Sequence, residues 1–271
     1  MRPLPDSMLS FSNSCSWIRE APFESNFYHA LSIILPEYEK RMIEFGSLAN
    51  VPHEAECRED LVRFMKQESN HRKIHNRYNK HLEGAHYSFS IITRLVQSYG
   101  NFVSRYFPLS LKIGICASGE HLTGVVATYF INHYSRYKDT SDQQICQLWR
   151  WHVVEEIEHK TTMHSVMELK NYGYFSRMLS CVMIDIWLVL PMVLFGILLL
   201  SAQDRSLWSL KFWKNAFSTL LGSRGLLYTF LYKTISYFRP RFRPQLTVSE
   251  ASFIKNYDSE VIHSVNLKQA V

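Results

Sequence analysis

The stretch Trp149-Arg-Trp-His152-Val-Val-Glu155-Glu156-Ile-Glu158-His159-Lys160 decides the fold. Residues three and four apart share a helix face, so His152, Glu156 and His159 stack along one stripe that Trp149 extends by a turn. An amphipathic helix buries apolar side chains on such a stripe. This one carries two imidazoles and a carboxylate, and a buried carboxylate without a partner is costly. A metal cation is the partner that such a set expects.

A second copy lies upstream. Phe64-Met-Lys-Gln-Glu68-Ser-Asn-His71-Arg-Lys-Ile-His75 places Glu68, His71 and His75 on one helical face. Glu-x-x-His on each of two helices, with a Glu from each of two more, is the ligand set of di-iron and di-manganese carboxylate bundles. One such tetrapeptide arises often by chance; two within long helical segments carry far more weight. His75 reads either as a ligand, as an outer-sphere residue that orients one, or as a polar residue near the bundle end.

The remaining carboxylates fall on two other helical segments. From Phe23 to Leu48, Tyr28, Leu31, Leu35, Met42 and Ile43 are spaced for one buried face, and Glu39 falls on it. Glu37 and Glu44 lie farther round. Alone, Glu39 reads as a solvated charge; beside the two motifs it becomes the first carboxylate. Pro36 predicts a kink in this segment. A third segment, 109–134, carries Glu120 on a face shared with Cys116, Ala117, Thr123, Gly124 and Ala127. Neighbours so small either open a cavity or simply permit close helix packing. His121, one position round, is expected to meet the crossover rather than the metals, while Glu155 and Glu158 lie off the main stripe of the fourth segment, 142–172, and read as outer-sphere or solvated residues.

Glu68 and Glu120 stand 52 positions apart, against 29 from Glu39 to Glu68 and 36 from Glu120 to Glu156. The long middle gap, where Tyr99–Gly100 reads as a turn, suits two helical hairpins joined by one crossover. The expectation is an all-α, ferritin-like four-helix bundle. The chain then divides into an irregular lead-in (1–22), the metal-binding bundle (23–175), an apolar and aromatic-basic helical region (176–245) and a polar tail (246–271).

The third of these regions points to a membrane. Met178 to Ala202 contains one charge, Asp185, and is long enough to span a hydrocarbon core. Asp185 and Pro191 argue instead for a helix buried in the interior or lying partly in the membrane. Residues 206–238 then interleave Trp, Phe, Tyr and Leu with Lys and Arg, a composition suited to the interfacial layer. The expected location is the cytoplasmic side of a membrane, with at most one transmembrane helix within 178–202.

Composition sets wider bounds. The chain has 271 residues, few Gly and Pro (10 and 9), and a net charge of +6. No recognition motif accompanies that basic balance, so nucleic acid is not expected as a partner. The five cysteines form no Cys-x-x-Cys pair, which argues against a zinc knuckle or a disulfide framework and for a reducing compartment. The opening Met-Arg-Pro-Leu-Pro-Asp lacks the apolar core of a secretory signal.

Taken together, Leu35-Pro-Glu-Tyr-Glu39, Gln67-Glu68-Ser-Asn-His71-Arg-Lys-Ile-His75-Asn-Arg-Tyr78-Asn79, Gly119-Glu120-His121 and the Trp149–Lys160 stretch resemble a bacterial family of predicted metal-dependent hydrolases. Tyr237-Phe-Arg-Pro-Arg-Phe-Arg-Pro244 is similar to that family's C-terminal signature. Arg243 stands where the family tends to have His, and Tyr38 where it tends to have Gly. The extra imidazole in His152-x-x-x-Glu156-x-x-His159 is similar to one in ferritin-like di-iron arylamine N-oxygenases. The expected ligands are Glu39, Glu68, His71, Glu120, His152, Glu156 and His159, with His75 as an eighth candidate. Glu120 and Glu156 are assigned to catalysis, and Glu68 and Glu156 are expected to bridge two metal ions.

Four carboxylates with imidazoles suit iron, with manganese or zinc as alternatives. The expected reaction is dioxygen-dependent oxidation of a small apolar or membrane-derived substrate, with electrons from a reductase or ferredoxin. Metal-driven hydrolysis of an ester or phosphate is the main alternative. A non-enzymatic metal-binding membrane protein is the third.

Overall fold

The computed structural model describes residues 2, 11, 17–139 and 142–269, apart from the side chains at 185, 187 and 262–269. It is all-α, with no strand among the described residues. Helices α1 (Pro22–Leu48) and α2 (Cys57–Gly84) form one hairpin, and α4 (Leu109–Lys138) and α5 (Gln143–His159) form another. Pro22 starts α1 where its missing N–H costs nothing. Asp142 caps α5 by accepting from the Ile145 amide at 2.9 Å. The large side chains between the hairpins, among them Trp149, Trp151, Tyr28, Phe45, Phe64 and Phe130, are fully buried.

The crossover is itself a helix, α3 (Ser90–Tyr106), which lies against α1 through Ile92, Val96 and Val103. The turn expected at Tyr99–Gly100 is therefore absent. Gly100 sits inside α3, where a Cβ would come within 2.8 Å of Arg41 Nε, so glycine serves a close approach rather than a bend.

The fourth expected segment also ends early. α5 stops at His159, and after a break at Lys160–Thr161 the short α6 (Thr162–Leu169) begins. Two successive β-branched threonines weaken helix continuation there, and the Lys160 side chain reaches Glu250 at 2.6 Å.

The expectation of a transmembrane helix within 178–202 is corrected. The run divides into α7 (Tyr174–Cys181), a π-helical stretch (Val182–Val189) and α8 (Leu190–Gln203), and no helix among the described residues is long and apolar enough to cross a membrane. One face of α8 packs on α1, where a Cβ on Gly196 would come within 2.8 Å of Ala30 Cβ. Next come α9 (Leu210–Leu221), α10 (Leu226–Tyr237) and α11 (Val248–Gln269). The last returns over α4 and α5, burying Phe253 and Tyr257. Most of the lead-in lies outside the described residues, but Trp17 at its end is fully buried.

Candidate metal centre

Pro36 explains how α1 contributes to the site. A proline inside a helix leaves the carbonyl four residues back without its usual donor, here that of Ser32. Asn79 of α2 supplies one, donating to Ser32 O at 2.8 Å. The Ser32 hydroxyl in turn donates to Asn79 Oδ1 at 2.9 Å and lies 2.9 Å from His75 Nδ1. With its one proton committed to Asn79, Ser32 Oγ accepts from His75 Nδ1–H. The His75 Nε2 lone pair is thereby turned toward the interior.

Every sequence-predicted ligand is buried between the hairpins. They form two groups. Glu68, His71, Glu156 and His159 each present a donor atom within 4.8 Å of the others, and Glu39, His75 and His152 do the same beside them. Glu156 links the groups: its Oε1 is 2.8 Å from His152 Nε2 and 3.4 Å from His71 Nδ1. Glu68 Oε1 lies 3.5 Å from His71 Nδ1 and 3.4 Å from His159 Nε2. Glu120 adjoins the first group through His159 Nδ1, at 2.8 Å. His75, the residue with three open readings, sits in the second group with its Nε2 2.7 Å from His152 Nδ1. At that distance one of the two nitrogens carries a proton in the metal-free protein.

Outer partners fix the rings. Glu155 Oε2 lies 3.1 Å from His71 Nε2, so the carboxylate holds the tautomer whose Nδ1 faces Glu68 and Glu156. Of the two sequence readings of Glu155, outer-sphere or solvated, its contact with His71 fits the first; Ser32, two turns before Glu39, carried no signal in the sequence. Glu158 faces outward and pairs with Arg2 at 2.6 Å.

The electrostatics are those of a site missing positive charge. Burial, and then Glu68, push the Glu39 carboxyl well above its ordinary range. Burial also lifts Glu120 to about 8 despite His159. Burial opposes a charged His159, but Glu120 and Glu156 outweigh it and raise the imidazole to about 9. Burial opposes an ionised Glu156 as well, yet His152 and His159 hold it well below the usual range. Burial and His152 depress His75.

Both oxygens of Glu39 and of Glu68, one oxygen each of Glu120 and Glu156, His71 Nδ1 and His159 Nε2 are buried without a hydrogen-bond partner. Native proteins rarely leave buried polar atoms so. Eight within one cluster fit a bound cation pair, and the mixed oxygen–imidazole set suits iron, manganese or zinc.

Two cavities approach this cluster along opposite faces of α4, and a third, more open one reaches His159 from the side of α11. Of the first two, one is a narrow space of about 50 Å³ that ends on His152 and Glu156; its other walls are mainly apolar, among them Leu31, Leu35, Leu122, Val126 and Val189. A Cβ on Gly119 would lie 1.6 Å from the Tyr38 hydroxyl, so that glycine makes room for Tyr38 in the wall. The other cavity, about 110 Å³, sets several charged and polar side chains among mainly apolar surface and meets Glu120; Ala117 and Gly124 help line it, so their small size does open space. His121 corrects an expectation. It stacks on Tyr237 of α10, with ring centroids 4.3 Å apart, and does not meet the crossover. Arg243 is exposed, pairs with Glu168 at 3.0 Å, and belongs to neither ligand group.

The fold and these donors define an all-α protein with a potential dinuclear metal site of carboxylates and imidazoles. The chain belongs to the family described as predicted metal-dependent hydrolase, whose model matches residues 6–247. No curated protein and no solved structure matches it.

Proposed function

We propose that the protein is a ferritin-like dinuclear metalloenzyme that oxidises an apolar substrate with dioxygen, its metals being iron and its electrons coming from a separate reductase or ferredoxin. The observation carrying this reading is the slot that ends on His152 and Glu156. It offers a hydrocarbon-like segment a fitting surface, but few polar groups to hold an ester or phosphate. The metal pair would supply oxygen activation. The chain's own residues would hold the ions (Glu39, Glu68, His71, His75, Glu120, His152, Glu156 and His159), orient the imidazoles through Ser32 and Glu155, and exclude water with the slot's apolar walls. Hydrolysis remains the second reading because the family description names it. In that case the larger cavity beside Glu120 would admit water and substrate.

The outer face of α9 and α10 supports a membrane as the place where an apolar substrate is met. Trp213, Phe217, Tyr228, Tyr232 and Ile235 are all exposed there, and Trp208 is exposed in the turn just before α9. Lys211, Lys214 and Arg224 stand among them in sequence. Exposed aromatic and aliphatic side chains interleaved with cations suit monotopic seating on an anionic, cytoplasmic-facing lipid surface.

The test is metal content and oxygen uptake of purified protein loaded anaerobically with ferrous iron. Two irons per chain and uptake that depends on added reductant support oxidation. Two tightly held zinc or manganese ions, with no uptake after iron loading, would transfer the assignment to hydrolysis.

A further inference from the structure

The cavity beyond Glu120 has a charge pattern that the metal ligands do not explain. Lys160, Lys233, His121, His164 and Glu250 all line it. Lys160 and Glu250 satisfy each other at 2.6 Å, and Glu250 Oε2 also accepts from the Thr247 amide at 2.8 Å. Nearby Arg177 donates to the carbonyls of Tyr237 and Arg239. Lys233 is left over: it is half-buried on α10 and forms no ion pair among the described residues. His121 Nε2 is buried and has no hydrogen-bond partner, while stacking on Tyr237 fixes its ring.

The half-buried side chain of Lys233 and the imidazole of His121, whose Nε2 lacks a partner, thus belong to the lining of one cavity of about 110 Å³, which Glu120 and Glu250 also line. A compact anion would give the ammonium a charge-assisted partner and the imidazole an acceptor. We propose that this cavity binds a compact oxyanion, a carboxylate or phosphate group, through Lys233 Nζ and His121 Nε2. The cavity is separate from the apolar slot of the oxidation reading, and in the hydrolysis reading the same anion site would hold the substrate's acidic group beside Glu120. Because Tyr228, Leu231, Tyr232 and Ile235 are exposed on the same helix as Lys233, the anion has two possible sources, a lipid headgroup or a free ion.

The experiment uses the full-length, metal-loaded protein. Inorganic phosphate is titrated by calorimetry without lipid, and co-sedimentation is measured with phosphatidylcholine vesicles with and without phosphatidic acid. The variants are Lys233→Met, which keeps the length of the side chain, His121→Phe, which keeps the stacking, and Lys214→Met, which removes an exposed cation elsewhere. Binding of phosphate, or the phosphatidic-acid-dependent part of vesicle binding, should weaken about tenfold or more in Lys233→Met and His121→Phe. It should change little in Lys214→Met, with metal content unaltered in all three. Phosphate binding identifies a free ion as a sufficient ligand; a Lys233-dependent effect on vesicles alone identifies the headgroup. The proposal is overturned if neither probe binds, or if Lys233→Met and Lys214→Met lose equal amounts.

Discussion

Helix α1 buries two carboxylates, Glu24 near its start and Glu39 beyond its middle, and their surroundings differ completely. Glu24 is enclosed by protein donors: the Tyr129 hydroxyl at 2.9 Å, the Tyr137 hydroxyl, and Arg136. Glu39 is as deeply buried, yet both its oxygens lack a partner, and its nearest groups include another carboxylate and two imidazoles. Burial alone therefore says nothing about role. What separates a structural carboxylate from a metal-ligating one is whether the protein itself completes the hydrogen bonds.

The sharpest way to break this contrast is to remove each carboxylate in turn. Glu24→Ala should cost about 3–5 kcal/mol of folding stability, chiefly by leaving two buried tyrosine hydroxyls without their acceptor; half-exposed Arg136 contributes less because solvent screens it. Chemical denaturation measures this, and metal content per folded chain should stay unchanged. Glu39→Gln should do the reverse. Replacing a carboxyl that burial and Glu68 force to take up a proton on folding should leave the metal-free protein as stable as the parent or more so, while bound metal falls from two ions to one. If Glu39→Gln retained both ions, the second ligand group would have been wrongly drawn.

A smaller effect follows from the protons of the metal-free centre. Glu120 is lifted from 4.5 to about 8 and His159 from 6.5 to about 9. Between those limits the folded state binds protons that the unfolded chain has released, so stability falls as pH rises. Glu156, held low, adds stability that is fully present above its ordinary carboxylate range and is lost only as pH falls through acid, so it stays constant across this window. Thermal midpoints of chelator-treated protein should fall from about pH 6.5 to pH 9. Metal uptake should release protons, and the stabilisation it confers should widen over the same range. A metal-free midpoint that rises with pH would contradict these assignments.

Much of the centre was legible because polar residues at helical spacing violate the amphipathic rule, and the violation occurs twice. His152, Glu156 and His159, like Glu68 and His71, could be read from period alone as candidate ligands, and the fold brings their donor atoms together. Glu24 could not be set apart from Glu39, because the tyrosines that satisfy it stand more than 100 positions away in the chain. The crossover was legible as a long gap, but not as a helix packed on α1. The apolar run at 178–202 was visible as composition, whereas its π-helical interruption and its seating on α1 depend on tertiary contacts. His121 was misplaced for a similar reason: its partner, Tyr237, comes from a helix whose return to α4 no local pattern encodes.

The smallest predicted effect tests the outer support of the second ligand group. Ser32 has no donor atom in either group; its hydroxyl only turns His75, and it is itself held by Asn79, which answers the carbonyl that Pro36 leaves free. Ser32→Ala should leave the fold and the ion beside Glu68 and His159 intact, and weaken the ion beside Glu39 and His75 about 10- to 100-fold, the usual cost of losing an outer-shell partner. Stepwise metal titration followed spectroscopically would resolve the two affinities. Pro36→Ala then sharpens the result. It restores an amide donor to compete for the Ser32 carbonyl, so it should weaken the same ion by a smaller factor while leaving the His75–Ser32 bond formed. Equal weakening of both ions in Ser32→Ala would mean that the two groups titrate as one unit, and that Glu156, which touches both, dominates their coupling.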